Sequence, residues 1–155
     1  MQEPEFFRVL PAGVTLHTAR ISFKGVDVPT LVGCVDQLDA ESGKLADAGV
    51  GVIVFAAMAP SMVKGKGHDL GLIARMEKAG ACPATTAATA FVQSLTHLGI
   101  RRIAIGAPWS REINQLMIAF MEAHGFEVVA SAFAGLTRGE DLVRSEEHTS
   151  ELQSH

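Results

Sequence analysis

The sequence is short of most features that would place it at once. Its 155 residues hold no tyrosine, one tryptophan and two cysteines. Cys34 and Cys82 make no disulfide framework and sit in no cluster with zinc spacing. A reduced, cytosolic setting is therefore expected. Charge is also scarce, at 19% of residues with a net of −4. That balance lacks the basic footprint of a nucleic-acid binder. No apolar run approaches the ~20 residues of a membrane-spanning helix. The longest, 50–60, is interrupted by Gly51 and reads as a buried strand. The opening residues Met1-Gln2-Glu3-Pro4-Glu5 are acidic and do not read as a secretory leader.

What is present changes character near the end. Arg144 to His155 holds one aliphatic residue, Leu152, and no periodicity. Arg144-Ser145-Glu146-Glu147-His148-Thr149-Ser150-Glu151-Leu152-Gln153-Ser154 resembles the in-frame translation of a common sequencing-library adapter. Residues 144–155 are accordingly expected to be a non-native polar tail, and 1–143 the folding body.

Within that body, short apolar runs alternate with amphipathic stretches. Val14–Phe23, Val50–Ala57, Arg102–Ala107 and Val128–Phe133 read as strands. Leu31, Cys34, Val35 and Leu38 share a helical face within 28–48. Three further helices are expected, opened by Asp69, by Thr85 or Thr86, and by Ser110. Gly49, Gly99 and Gly125 read as stops. Such alternation predicts an α/β fold, a doubly wound parallel sheet with helices on both faces. Ligands in these folds sit beyond the carboxyl ends of the strands. The loops to inspect are therefore 57–68, 82–86, 107–111 and 133–141.

Each loop carries a chemical reading and a structural one. The glycines and lysines of 57–69 could hold an anion on backbone N–H groups, or form a plain solvated loop. Thr85 and Thr86 could bind a carboxylate at a helix start, or only cap the helix. Cys82 beside them could be an activated thiol or a small packed residue. Trp109 could wall a pocket or simply pack. His97 and His124 each stand shortly before a helix-stopping glycine and read as structural. From the residues alone, the chain is an α/β domain with a small-anion site.

Several of these segments together carry a family resemblance. Glu3-Pro4-Glu5-Phe6, Pro11-Ala12-Gly13-Val14 with His17, Ala19 and Arg20, and Val52-Ile53-Val54-Phe55-Ala56 begin it. Val63-Lys64-Gly65, Pro83-Ala84-Thr85-Thr86, Leu98-Gly99-Ile100-Arg101-Arg102-Ile103-Ala104 and Pro108-Trp109 through to Asn114 continue it. In this order they resemble the maleate cis-trans isomerase and arylmalonate decarboxylase branch of the Asp/Glu racemase superfamily. The resemblance implies two similar α/β halves with the active site between them, of which this chain is the N-terminal half. It implies a cysteine thiolate as the reacting group and no metal or organic cofactor. Backbone N–H groups and hydroxyls would cradle the carboxylates of a small dicarboxylate substrate.

The chain departs from that pattern where the chemistry sits. Ala57 stands at the family's first cysteine position, and Met58 and Ala59 stand where hydroxyl residues are usual. Trp109 takes the place of a tyrosine. The arylmalonate decarboxylases also lack the first cysteine. The resemblance thus implies no catalytic residue in this half, with Ala57, Met58, Ala59, Ser61, Thr85, Thr86, Trp109 and Asn114 as its substrate-binding residues. The expectation is a fragment, itself inactive, of a maleate isomerase-like enzyme. An arylmalonate decarboxylase-like single-cysteine enzyme and a non-catalytic small-acid-binding module are the alternatives. Both ends are expected to be truncated, leaving a sheet edge open and self-association into a homo-oligomer in prospect.

Overall fold

The computed structural model describes residues 3–23 and 25–137. The proposed polar tail, 144–155, and the chain up to it from 138 lie outside the described residues. The fold is mixed α/β with every strand pair parallel. After a short helix α1 (Glu3–Val9), α2 (Val28–Cys34) passes through a 3-10 turn, Val35–Gln37, into α3 (Leu38–Asp47). Asp27 opens α2 by accepting the Thr30 N–H at 2.7 Å. Strand β1 (Ile53–Phe55) leads through α4 (Met58–Met62) and α5 (His68–Gly80) to β2 (Ala84–Thr86). Helix α6 (Ala87–His97) leads to β3 (Arg102–Ala107), and α7 (Arg111–Ala123) to β4 (Glu127–Phe133).

The helix signals act as their chemistry requires. Thr86 and Ser110 are N-caps whose hydroxyls accept the N–H three residues on. Gly125 ends α7 at φ +86°, a conformation that costs a side chain ~1–2 kcal/mol. His124, at the cap of α7, bonds the Phe120 carbonyl through Nδ1 at 2.8 Å, a structural role.

The strands fall into two sheets, β1–β2 and β3–β4. Each has its own core. Ile53 and Phe55 of β1 pack with Cys34, Val35, Leu38, Leu72 and Met76. Ile105 of β3 packs with Leu31, Met62, Ile113, Met117, Phe120 and Met121. Helix α4 joins the two, touching α2, α5, α6 and α7. Lys66, in the loop after α4, donates from Nζ to the Ala123 carbonyl at the end of α7, at 2.8 Å.

Three local readings change. Val14–Phe23 forms no strand: its β-rich pattern finds no neighbouring strand to complete it, and alternation alone does not make a ladder. Residues 58–62 are helical rather than a loop, a single turn that fits because Pro60 sits in its first turn. Asp69 does not cap α5. Gly67 does, at φ +89°, and Asp69 lies inside the first turn with 2% exposure. No described helix is long and apolar enough to cross a membrane.

Candidate functional site

The parallel register brings the loops together in pairs. Phe55 lies opposite Thr86, so the backbone at Ala57 and the start of α6 are neighbours. Ala107 lies opposite Phe133, and the chain beyond stays zipped: Gly135 N–H donates to Trp109 O at 3.0 Å and Leu136 N–H to Pro108 O at 2.8 Å. Arg111 places its guanidinium 4.9 Å from the centre of the Phe133 ring.

A cleft of about 480 Å³ runs along β3. Met58, Pro108 and Trp109 line one end of it, so the structure brings Met58 and Trp109 to one surface. The rest of its lining is mainly apolar. Ala57 is the N-cap of α4, extended at φ −133° and ψ 105°, with no side chain able to cap. Ala59 and Ser61 are buried beneath it, and Ser61 Oγ donates to the Ala57 carbonyl at 2.5 Å. Asn114 sits one turn into α7, 2% exposed, and its Oδ1 has no hydrogen-bond partner. None of Ala57, Ala59, Ser61, Thr85, Thr86 or Asn114 lines this cleft.

Thr86 belongs to a buried chain of hydroxyls that sequence reasoning missed. Thr89 Oγ donates to Asp69 Oδ2 at 2.6 Å. With its proton committed there, Thr89 Oγ accepts the Thr86 proton across 2.9 Å. Thr86 Oγ in turn accepts the Thr89 N–H at 3.1 Å. Thr86 therefore has no proton left to donate to a ligand, whereas Thr85 is half-buried beside it. Asp69 Oδ1 and His68 Nε2 are buried without partners. Burial pushes the His68 imidazole below its ordinary pKa, and Lys64 adds to the shift. The sequence marked Asp69 and Thr86 separately as helix openers, with no signal that the two meet through Thr89.

Neither cysteine stands at the site. Cys34 is buried and donates to Leu31 O at 3.3 Å. Burial and nearby Asp36 push its thiol pKa up, away from nucleophilic use. Cys82 precedes β2, so it lies at the amino end of the strand whose carboxyl end carries Thr86. It is not at a helix start, because 84–86 is itself a strand.

A family model for arylmalonate decarboxylase matches residues 4–152. The chain belongs to the arylmalonate decarboxylase family. A maleate isomerase of Pseudomonas putida is 30% identical over 125 residues, which are 77% of this chain and 50% of that protein. The arylmalonate decarboxylase of Bordetella bronchiseptica is 26% identical over 65% of this chain and 42% of its own length. Among solved structures, a Nocardia farcinica maleate cis-trans isomerase mutant with a covalently bound succinylcysteine intermediate superposes with a TM-score of 0.81. It is 23% identical over 87% of this chain and 58% of that one. The chain thus spans about half the length of the curated relatives it matches. Family membership and the parallel α/β architecture agree with the resemblance read from the segments above.

Proposed function

We propose that this family member forms one wall of the active site of an enzyme acting on a small dicarboxylic acid. The observation that carries this reading is the kinship with maleate isomerases over the stretch that builds the cleft. The thiolate that reacts comes from outside the described residues, because Ala57 has no thiol and Cys34 and Cys82 lie elsewhere. In isomerisation the thiolate sulfur bonds to one alkene carbon, and the π electron pair passes to the other alkene carbon and into the carboxylate attached to it. Rotation about the central carbon–carbon bond, now single, and loss of the thiolate as the double bond re-forms then give the trans acid, with no net proton change. The succinylcysteine of the Nocardia farcinica relative has the connectivity of such an adduct. On this side, backbone N–H groups at Ala57–Ala59 and the Thr85 hydroxyl hold the carboxylate, and Met58 with Trp109 exclude water from it.

Ala57 favours a second reading, decarboxylation of a malonate-type acid. There one carbon–carboxylate bond breaks, carbon dioxide leaves, and the electron pair stays on the α-carbon as an enediolate. A single thiol then delivers the proton to that carbon, so one cysteine suffices.

The test assays maleate loss and carbon dioxide release from phenylmalonate. The 155-residue chain alone is expected to do neither, and turnover of either would overturn the missing-thiol reading. The chain extended to the relatives' length, by ~100 residues or one more domain, is expected to turn over one of the two. A long form that binds these acids yet converts neither would be a binding module instead.

A further inference from the structure

Asp69 stands in the first turn of α5, where a carboxylate ordinarily serves the N–H groups of its own helix. It does not do so here. Gly67 opens α5 without any side-chain cap, and the bond that Asp69 makes is to Thr89, 20 residues on. The residue is 2% exposed and its Oδ1 has no partner. Leaving a buried carboxylate oxygen unpaired is destabilising, and capping its own helix would have cost less. Stability alone does not account for the arrangement.

What the carboxylate does is set direction. It accepts and does not donate, so both hydroxyl protons run inward, from Thr86 to Thr89 and from Thr89 to Asp69. The Thr86 oxygen is occupied in turn by the Thr89 N–H. Thr86 also lies opposite Phe55 in the β1–β2 register, two residues before Ala57. One network thus ties the first turn of α5 to the end of β2 and, through the ladder, to the strand that delivers Ala57. Ser61, which donates to the Ala57 carbonyl, holds the same backbone from within. Of the hydroxyls on Ser61, Thr85, Thr86 and Thr89, only that of Thr85 makes no bond among the described residues.

We infer that Asp69 is a positioning residue for the carboxylate cradle, holding Thr85 and the Ala57 backbone in place through Thr89 and Thr86. The inference rests on the reading of that site given above. Asp69 itself touches no substrate, since two hydroxyls stand between its carboxylate and the end of β2.

Maleate titrated into the 155-residue chain tests this, followed by the NMR shifts of the Met58, Ala59 and Thr85 amides. Wild type should respond there. Asp69→Ala and Thr89→Val each break the network, and should weaken maleate binding by the folded protein about ten-fold or more. Either variant suffices if the other does not fold. Asp69→Asn and Thr89→Ser keep the acceptor and the hydroxyl, and should stay within about three-fold of wild type. Phe126→Leu, in the core just before β4 and away from the site, should lower the melting temperature and leave maleate affinity unchanged. Asp69→Ala or Thr89→Val binding as wild type does would overturn the inference and leave the site reading standing. So would a Phe126→Leu protein that loses as much affinity, or Asp69→Asn no better than Asp69→Ala. Failure of both breaking variants to fold would make the network purely structural and overturn it too. Silence of all three wild-type amides would overturn the site reading, and the inference with it.

Discussion

Sheet β1–β2 has only three residues per strand, yet Ile53, Phe55 and Thr86 are all buried. Sheet β3–β4 runs to six and seven residues, yet β4 is exposed at every position but Val128. Strand length and strand burial have come apart. The short sheet is covered on one face by α5, with Leu38 at the start of α3 in the same core, while Val54 on its other face stays 45% exposed. The long one packs against α7, and its other face is exposed among the described residues, although parallel sheets are ordinarily buried on both faces. The difference teaches that hydrogen-bonded length reports the pairing, and burial reports whether the surroundings are present.

Mutations can break this contrast. Phe55→Ala, in the short covered sheet, should cost about 3–5 kcal/mol in urea unfolding. A loss under about 1 kcal/mol would mean that the first core is as loosely held as β4. Asp69→Ala should cost about 1–3 kcal/mol, because it strands the Thr89 hydroxyl in the interior. Asp69→Asn, which keeps an acceptor, should recover part of that loss in the same measurement.

The pH dependence sharpens the contrast further. His68 binds its proton less readily folded than unfolded. The unfolded state therefore takes up the extra proton as pH falls below the ordinary histidine range near 6.5, and stability drops in that window. Above it, this contribution is fully present. Thermal melts at pH 7.5 and 5.5 should show the drop, and His68→Gln should flatten it. The smallest effect belongs to β4. Val129→Thr should change stability by no more than about 0.5 kcal/mol, as the residue is 49% exposed. In the presence of a partner that covers β4, the same change should become costly.

Much of this molecule was legible in its residues, for identifiable reasons. Ser110 and Thr86 were readable as caps because capping is a local bond between a hydroxyl and an N–H three residues away. Leu31, Cys34, Val35 and Leu38 were readable as buried. They do not share one helical face, because α2 ends at Cys34, a 3-10 turn intervenes and α3 starts at Leu38. Leu31 packs in the core under β3 and the other three in the core under β1. Val14–Phe23 misled because a strand exists only through its neighbour. The single turn at 58–62 was too short for any period to show. The Asp69–Thr89–Thr86 chain joins residues 20 apart, and no local pattern announces such a meeting. At the candidate site, Met58 and Trp109 were legible as partners only through the resemblance, because 51 positions separate them in sequence.

The ammonium of Lys66 on the last turn of α7 has a kinetic consequence. It closes a loop across 57 residues, from the connection inside the first sheet to the helix that covers the second. Closing so wide a loop costs only about 0.6 kcal/mol more than one half as long. The clasp nevertheless needs α7 to be formed at its carboxyl end and the α4–α5 turn to be in place. It can therefore latch only after both regions have organised. A charge-removing modification of Lys66 would be expected to hasten unfolding far more than it slows folding, as befits a late contact.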